Sequence, residues 1–518
     1  MDFEYVIVGA GSAGCIVANR LSEDGRNRVL LLEAGPAGDG FFIGMPLGYG
    51  LSFYNPRVNW MYWSEPEPGL AGRAVYVPRG KVLGGSSAIN AMVYIRGQPE
   101  DFEDWKAAGN AGWGWSDVEP AFAAIERHLK IGSTEAGAHP LARHYFAAAR
   151  QLGLPVNHHP NGESQFGAGY NPVNIHKGRR QSASRVFLAP VRARANLRIE
   201  TSAQVTRIRF DGRRAVGVDY VVGRETRQVT AAREVILCAG AIGSPQLLQL
   251  SGIGPAALLK RHGIAVIAGN DAIGRNLRDH VGYDHYYRSR LPTANQQLRP
   301  LLGKLMAGLR YILFRSGPLA WSMNHAGGFI RSNEARARPN LQLYFCPMTY
   351  DRAPPKKRRM TEPDPFPAFS VSVSSCRPSS LGSVEIKSPD AADAPAIQLN
   401  LLATGADVAE MLEGAHFLRR LAATPALAAI IAEELKPGPA TRSGDDLIAD
   451  IRARGYSIYH PCGTVRMGPG GGVDAQLRVR AVAALRVIDA SIFPNIVAGN
   501  INAASMMVGW HGAGLVLK

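Results

Sequence analysis

The stretch Tyr5–Gly14, YVIVGAGSAG, decides how this chain begins to fold. Residues Glu4 to Val8 form a short apolar run of the length and composition of a buried strand. Gly9, Ala10, Gly11, Ser12, Ala13 and Gly14 follow, and from Cys15 to Leu21 the pattern is helical. A second buried strand, RVLLLE from Arg28, ends in the acid Glu33. Strand, glycine turn, helix, strand and closing acid make a βαβ unit with a dinucleotide fingerprint. The glycines allow a sharp turn and bring backbone N–H groups to a pyrophosphate at the helix N-terminus. Glu33 is placed to accept from ribose hydroxyls.

Working outward, three further stretches have the same grammar. RGKVLGGSSAIN (Arg79–Asn90) is a loop of bare backbone and hydroxyls that suits a cofactor's phosphates or ring. REVILCAGAIGSPQLLQLSGIG (Arg233–Gly254) reads as strand, glycine turn and helix, with Val235 to Leu237 as a buried parallel strand. Near the end, Leu485 to Ile488 is a strand, Asp489 closes it, and the chain is helical from Ala503. These pieces belong to one nucleotide-binding sheet, so that domain is discontinuous and the two chain ends meet.

Between them the character changes. Phe369–Ser388 alternates at period two and is expected to form an antiparallel hairpin in a second sheet. Gly303–Phe314 spaces Leu305, Leu309, Ile312 and Leu313 as a helical stripe, expected to pack on its own core. Leu447 to Gly455 reads as a last helix before the segment YSIYHPCGTVRMG (Tyr456–Gly468).

Composition bounds the rest. With 518 residues, 46% hydrophobic and 19% charged, the chain is globular and large enough for two domains. The net charge of +16 is spread over surface arginines, with one dense run, Lys356-Lys357-Arg358-Arg359, in a loop. No aromatic interleaving accompanies it, so no nucleic acid partner is expected, while peripheral contact with a membrane surface stays open. The five cysteines, Cys15, Cys238, Cys346, Cys376 and Cys462, are scattered without CxxC spacing. That pattern excludes a disulfide framework and a metal site and suits a reducing compartment. With a strand starting beside Met1 and no apolar run of membrane-spanning length, a cytoplasmic location is expected.

Together, GAGSAG with Glu33, GKVLGGSSAIN, GAIGSPQLLQLSGIG and the pair HPCGT and NINAASMM resemble the glucose–methanol–choline (GMC) oxidoreductase family over nearly the whole chain, closest to choline-dehydrogenase-like and sorbose-dehydrogenase-like bacterial members. The resemblance implies a Rossmann-like α/β FAD-binding domain (residues 1–155, 195–290 and 452–518). It also implies an α+β substrate domain around an antiparallel sheet (156–194 and 291–451). It implies oxidation of an alcohol by hydride transfer to flavin, with oxygen or a quinone-type acceptor. FAD would lie on Gly9, Gly11, Ser12, Ala13, Gly14, Glu33, Ala34, Gly84, Ser87, Asn90, Ala91, Met92, Val93, Val205, Asp489, Ala490, Asn500, Asn502 and Ala503. The catalytic His falls on His460 and its partner on Asn502. Cyanohydrin lyases and light-driven decarboxylases share the fold and are the alternatives.

The chemistry of that pair is intelligible from the residue types. Hydride leaves an alcohol carbon readily only as the hydroxyl proton is removed, and an imidazole beside the flavin suits that task. An Asn amide can donate to the developing alkoxide without competing for the proton. Tyr459 and Pro461 would restrict the backbone around His460. His511 is read as structural, and Cys462 as a packing residue. Relatives that attach FAD covalently use a His where this chain has Ile89, so FAD is expected to be non-covalent. Choline oxidisers carry a Glu near the position of His325 in SMNHAGGFIRS (Ser322–Ser332), which argues against a choline site here.

Overall fold

The computed structural model describes residues 3–38, 40–350 and 362–518. The run Lys356–Arg359 lies outside them. Five parallel strands are ordered Leu197–Thr201, Val29–Glu33, Phe3–Val8, Glu225–Leu237 and Leu485–Val487. Val29–Glu33 and Leu485–Val487 are buried along their whole length, as strands covered on both faces must be. Val6 sits between Leu30 and Val235, and Val235 pairs onward with Leu485. The first half of Glu225–Leu237 leaves this layer to run antiparallel to Arg214–Val222, which pairs with Ala203–Asp211.

The helix Asn502–Leu517 packs on the helix Gly14–Leu21, so the chain ends do meet. Gly509 makes the approach: a Cβ there would stand 2.8 Å from the Ala13 Cα.

The second sheet is antiparallel. It runs Ala326–Ile330, Leu341–Cys346, Ala368–Ser375, Val281–Ser289 and Ile431–Lys436, with Tyr456–Ser457 also on Val281–Ser289. In its three central strands the odd-numbered residues, such as Tyr283, Phe345 and Val371, pack into a core. The helix Gly405–Ala423 covers that core. The even-numbered ones, Asp284, Tyr286, Tyr344, Cys346, Ser370 and Ser372, face a cavity between the two sheets.

Several expectations need correction. Val281–Ser289 and Tyr456–Ser457 belong to the second sheet, although 195–290 and 452–518 were assigned to the first domain. Val281–Ser289 carries aromatic and polar residues on both faces, since one looks into the cavity, so no apolar alternation marks it. The helix Ala142–Gln151 packs with the second core, whereas Ala183, Phe187 and Leu188 pack with the first. The hairpin expected over Phe369–Ser388 does not form. Asp407 captures the N–H groups of Ser379 and Ser380, and Gly382–Glu385 pairs instead with Arg275–Leu277 and Ala396–Gln398. The stripe Leu305, Leu309, Ile312 and Leu313 points outward: in the helix Leu301–Phe314 only Ala307 and Tyr311 are buried.

Candidate active site

The parallel strands end at a cavity of about 780 Å³ that runs under both sheets. Gly9 has φ +97°, and a Cβ there would come within 2.5 Å of the Cys238 carbonyl oxygen. Gly85, at φ +52°, rests against Gly11: its Cβ would meet the Gly11 Cα at 2.7 Å. The loops GAGSAG and GGSS are thus pressed together with their backbones bare toward the cavity. Glu33 accepts from the N–H of Ala10 and of Gly35, both at 2.9 Å, and burial pushes its carboxyl up to about 7. It braces the glycine turn as well as facing the cavity.

Asp489 has the same double role. It accepts from Gly240 N–H at 2.8 Å, Ser244 Oγ at 2.6 Å and Ser491 N–H at 2.8 Å, tying GAIGS to the C-terminal motif.

Most of the residues expected at the cofactor line the cavity: Gly9, Gly11, Ser12, Ala13, Glu33, Ala34, Asn90, Ala91, Met92, Val93, Val205, Asp489, Ala490, Asn500 and Asn502. Four stand behind the wall. Gly14 is packed on Gly9, where a Cβ would meet the carbonyl oxygen at 2.0 Å. Gly84 donates to the Ala10 carbonyl at 2.7 Å. The Ser87 hydroxyl is spent inside its own loop, donating to the Gly84 carbonyl and accepting from Ala183 N–H. Ala503 is wholly buried in the first core. Gln204, Ala239 and Gly240 line the cavity without having been singled out, though GAIGS had marked the segment.

This lining fits FAD. Ser12 and Ala13, just before the helix that starts at Gly14, and Asn502 at the start of the terminal helix line the cavity, which favours a pyrophosphate. The Asn502 amide Nδ2 is buried with no protein partner while its Oδ1 accepts from Ser12 Oγ at 2.7 Å. A buried donor left over in a cavity wall calls for a ligand acceptor.

His460, Asn500 and Asn502 all line the cavity, and the hydrogen-bond neighbour of His460 is the first asparagine of NIN. His460 Nε2 lies 3.2 Å from the amide of Asn500, not Asn502. Asn502, two residues further, opens the terminal helix and turns toward Ser12.

His460 also has a partner that sequence reading missed, His280, with the two Nδ1 atoms 2.9 Å apart. Bonding fixes every proton in this chain. His280 Nε2 lies 2.9 Å from the Cys376 carbonyl, which can only accept, so Nε2 carries the hydrogen. Burial lowers the His280 imidazole to about 4, so it is neutral and its Nδ1 is a lone pair. His460 Nδ1 must then donate to it. Burial first, and then His280 and Arg79, hold His460 well below the ordinary imidazole range. A neutral His460 with its hydrogen on Nδ1 has an unprotonated Nε2 that accepts from the Asn500 amide at 3.2 Å. From the other side, Tyr344 donates to Gln342 Oε1 at 2.6 Å and Gln342 Nε2 to Asn500 Oδ1 at 3.2 Å. The Asn500 NH₂ therefore faces His460.

The backbone is held as firmly. Asp279 accepts from His460 N–H at 2.8 Å and from Ser457 Oγ at 2.5 Å. Tyr459 adopts φ +71°, a strained value for a non-glycine residue, and Arg79 donates to its carbonyl at 2.6 Å.

The remaining singled-out residues lie elsewhere. Ile89 lines the cavity, and His460 is the one histidine that does so among the described residues. His325 does not line it: buried, it accepts from His139 N–H at 2.9 Å with its ring edge on Trp321. It therefore says nothing about a cation site. His511 packs on Trp113 away from the cavity. Cys462 is fully buried, and burial pushes its thiol up, which keeps it an inert packing group.

Two family models for GMC oxidoreductases match the chain, one over residues 3–282 and one over 378–509. The Pseudomonas putida alcohol dehydrogenase [acceptor] is 39% identical over 100% of this chain and 96% of its own length. Human mitochondrial choline dehydrogenase is 39% identical over 99% of this chain and 90% of its own. Pyridoxine 4-oxidase from Mesorbium loti superposes with a TM-score of 0.87 at 32% identity, covering 99% of this chain and 98% of that one. The chain belongs to the GMC oxidoreductases, FAD-dependent enzymes that oxidise alcohols.

Proposed function

We propose that this protein oxidises an alcohol to the aldehyde or ketone with His460 Nε2 as the general base and Asn500 as the donor to the substrate oxygen. The observation that carries this is the single direction of donation from Tyr344 through Asn500 on one side and into His280 on the other, which fixes His460 Nε2 as an unprotonated acceptor beside the Asn500 amide on the cavity wall. The hydroxyl proton passes to Nε2 while the oxygen, gaining negative charge, accepts from the Asn500 amide. As Nε2 gains its proton, the Nδ1 hydrogen bond to His280 steadies the imidazolium. Bound FAD supplies the acceptor for the hydride that leaves the carbon.

Gly9, Gly11, Ser12, Glu33, Val205 and Asn502 would hold the cofactor. The alkyl side chain of Ile89 supports non-covalent attachment. Acid precipitation of the holoenzyme is expected to leave the yellow colour in the supernatant; colour retained in the pellet would refute it. The acceptor is oxygen or a quinone, separated by peroxide measurement during turnover. The five buried, unpaired cysteines support a cytoplasmic, reducing setting. The similarity to dehydrogenases and an oxidase gives the lyase and photodecarboxylase readings no support.

Two expectations follow from the histidine pair. Since the folded protein holds His460 below its ordinary value, the base stays neutral as pH falls through about 6.5, where a free imidazole would be half protonated. The acid limb of kcat/KM should therefore have its midpoint well below the free imidazole value of about 6.5. A midpoint at or above the free value would contradict the burial argument. His280→Ala removes the acceptor that fixes the tautomer, and kcat should fall roughly 10²-fold with KM little changed. An unaltered kcat would show that His280 does not set the proton's position.

A further inference from the structure

The helix Leu301–Phe314 is built inside out. Its sequence, LLGKLMAGLRYILF, holds eight large aliphatic or aromatic side chains that are 51% to 74% exposed, Leu302, Leu305, Leu309 and Ile312 among them. Phe41 and Phe42 extend the patch: both are about half exposed, and the Phe41 ring lies 5.8 Å from that of Tyr311. An apolar surface this continuous marks an interaction site in a water-soluble fold.

Two observations say what covers it. The first is charge. Arg315, at the end of the helix, lies over Phe41 at 5.5 Å and Tyr311 at 4.9 Å. The hairpin tip at Lys177-Gly178 is bound to the same helix, the Gly178 carbonyl accepting from Tyr311 Oη at 3.0 Å. Arg185 stands close enough to Arg179 and to Arg315 to feel the charge of both. Along the helix are Lys304 and Arg310, and among the described residues Glu362 lies 3.4 Å from Lys304. An apolar face rimmed by cations is complementary to an anionic lipid surface, where the side chains enter the acyl boundary and the cations meet headgroups. Two identical copies would bring the same cations face to face. The second observation is position: Lys304 and Ala307 of this helix, with Phe42, Leu298 and Leu319, also line the catalytic cavity.

We propose that the helix Leu301–Phe314, with Phe41 and Phe42, docks this protein on an anionic bilayer and opens its cavity toward the lipid, so that a lipid-soluble reactant enters without crossing water. Docking rests on this face alone; delivery to the cavity rests also on the alcohol-oxidising reading above.

Co-sedimentation of the holoenzyme with vesicles of pure phosphatidylcholine, and of equimolar phosphatidylcholine and phosphatidylglycerol, tests it. The wild type should pellet with the anionic vesicles, less with the neutral ones, and release as salt rises. The triple variant Leu305→Ser, Leu309→Ser and Ile312→Ser should bind the anionic vesicles at least about tenfold more weakly, with FAD content and turnover of a water-soluble alcohol kept. Lys177→Glu with Arg179→Glu should lose the preference for anionic vesicles only. The proposal is overturned if the wild type stays in the supernatant with both vesicle types or if the triple variant binds as the wild type does. It is equally overturned if the wild type ignores vesicles and is a dimer that the triple variant dissociates, since the face is then a subunit interface. Loss of turnover in His460→Ala with vesicle binding intact would separate failure of the chemistry from failure of the docking.

Discussion

Replacing His460 with Ala should lower kcat/KM for an alcohol by about 10³- to 10⁴-fold, the scale of losing a general base at the reacting oxygen. At about 1.4 kcal/mol per decade this is about 4 to 6 kcal/mol of transition-state stabilisation. The fold should survive, because the loop is held through the backbone. Asp279 bonds the His460 N–H and Arg79 the Tyr459 carbonyl, and neither bond uses the imidazole. The variant should nevertheless be less stable by about 1 to 3 kcal/mol, since the buried His280 Nδ1 loses its donor. FAD content, measured by absorbance after release, should match the wild type, as the glycine loops and Glu33 are untouched. A variant with full FAD and undiminished kcat/KM would remove His460 from the chemistry.

The two asparagines of NIN should separate cleanly. Asn500→Ala removes the only donor seen at His460 Nε2 among the described residues and should cost about 10²- to 10³-fold in kcat, as expected for one donor to a developing oxyanion. Its FAD content should be unchanged. Asn502→Ala strips Ser12 of its acceptor and the cavity wall of a buried donor, and should weaken FAD retention while kcat of the FAD-loaded fraction stays within a few-fold. The reverse outcome, with rate lost in Asn502→Ala and cofactor lost in Asn500→Ala, would favour the His460 and Asn502 pairing that the family resemblance implies.

That exchange shows where legibility ends. The nucleotide-binding layer could be read because its strands are fully buried and near-continuously apolar, and because glycine turns such as Gly9 and Gly85 leave no alternative residue. His460 could be read for a similar reason, sitting in a motif with few ways to fold. The direction of an amide two residues away could not, as it depends on Gln342 arriving from the other sheet. His280 was invisible for the same reason: nothing local distinguishes it from the chain's other twelve histidines until Cys376 and His460 close on it. The helix Leu301–Phe314 misled because a periodic apolar stripe reports which side chains share a face and not what that face meets. Domain limits failed where Val281–Ser289 walls a polar cavity and so loses the alternation that marks a half-buried strand.

The central claim is tested most directly by anaerobic mixing of the FAD-loaded protein with a panel of primary and secondary alcohols, following flavin absorbance, wild type and His460→Ala side by side. The account predicts that at least one alcohol bleaches the wild type in a saturable single turnover, with the carbonyl product formed one for one, and that the variant bleaches about 10³-fold more slowly. If no alcohol bleaches the wild type, or if the variant bleaches as fast, His460 is not the base of an alcohol oxidation and the account is wrong.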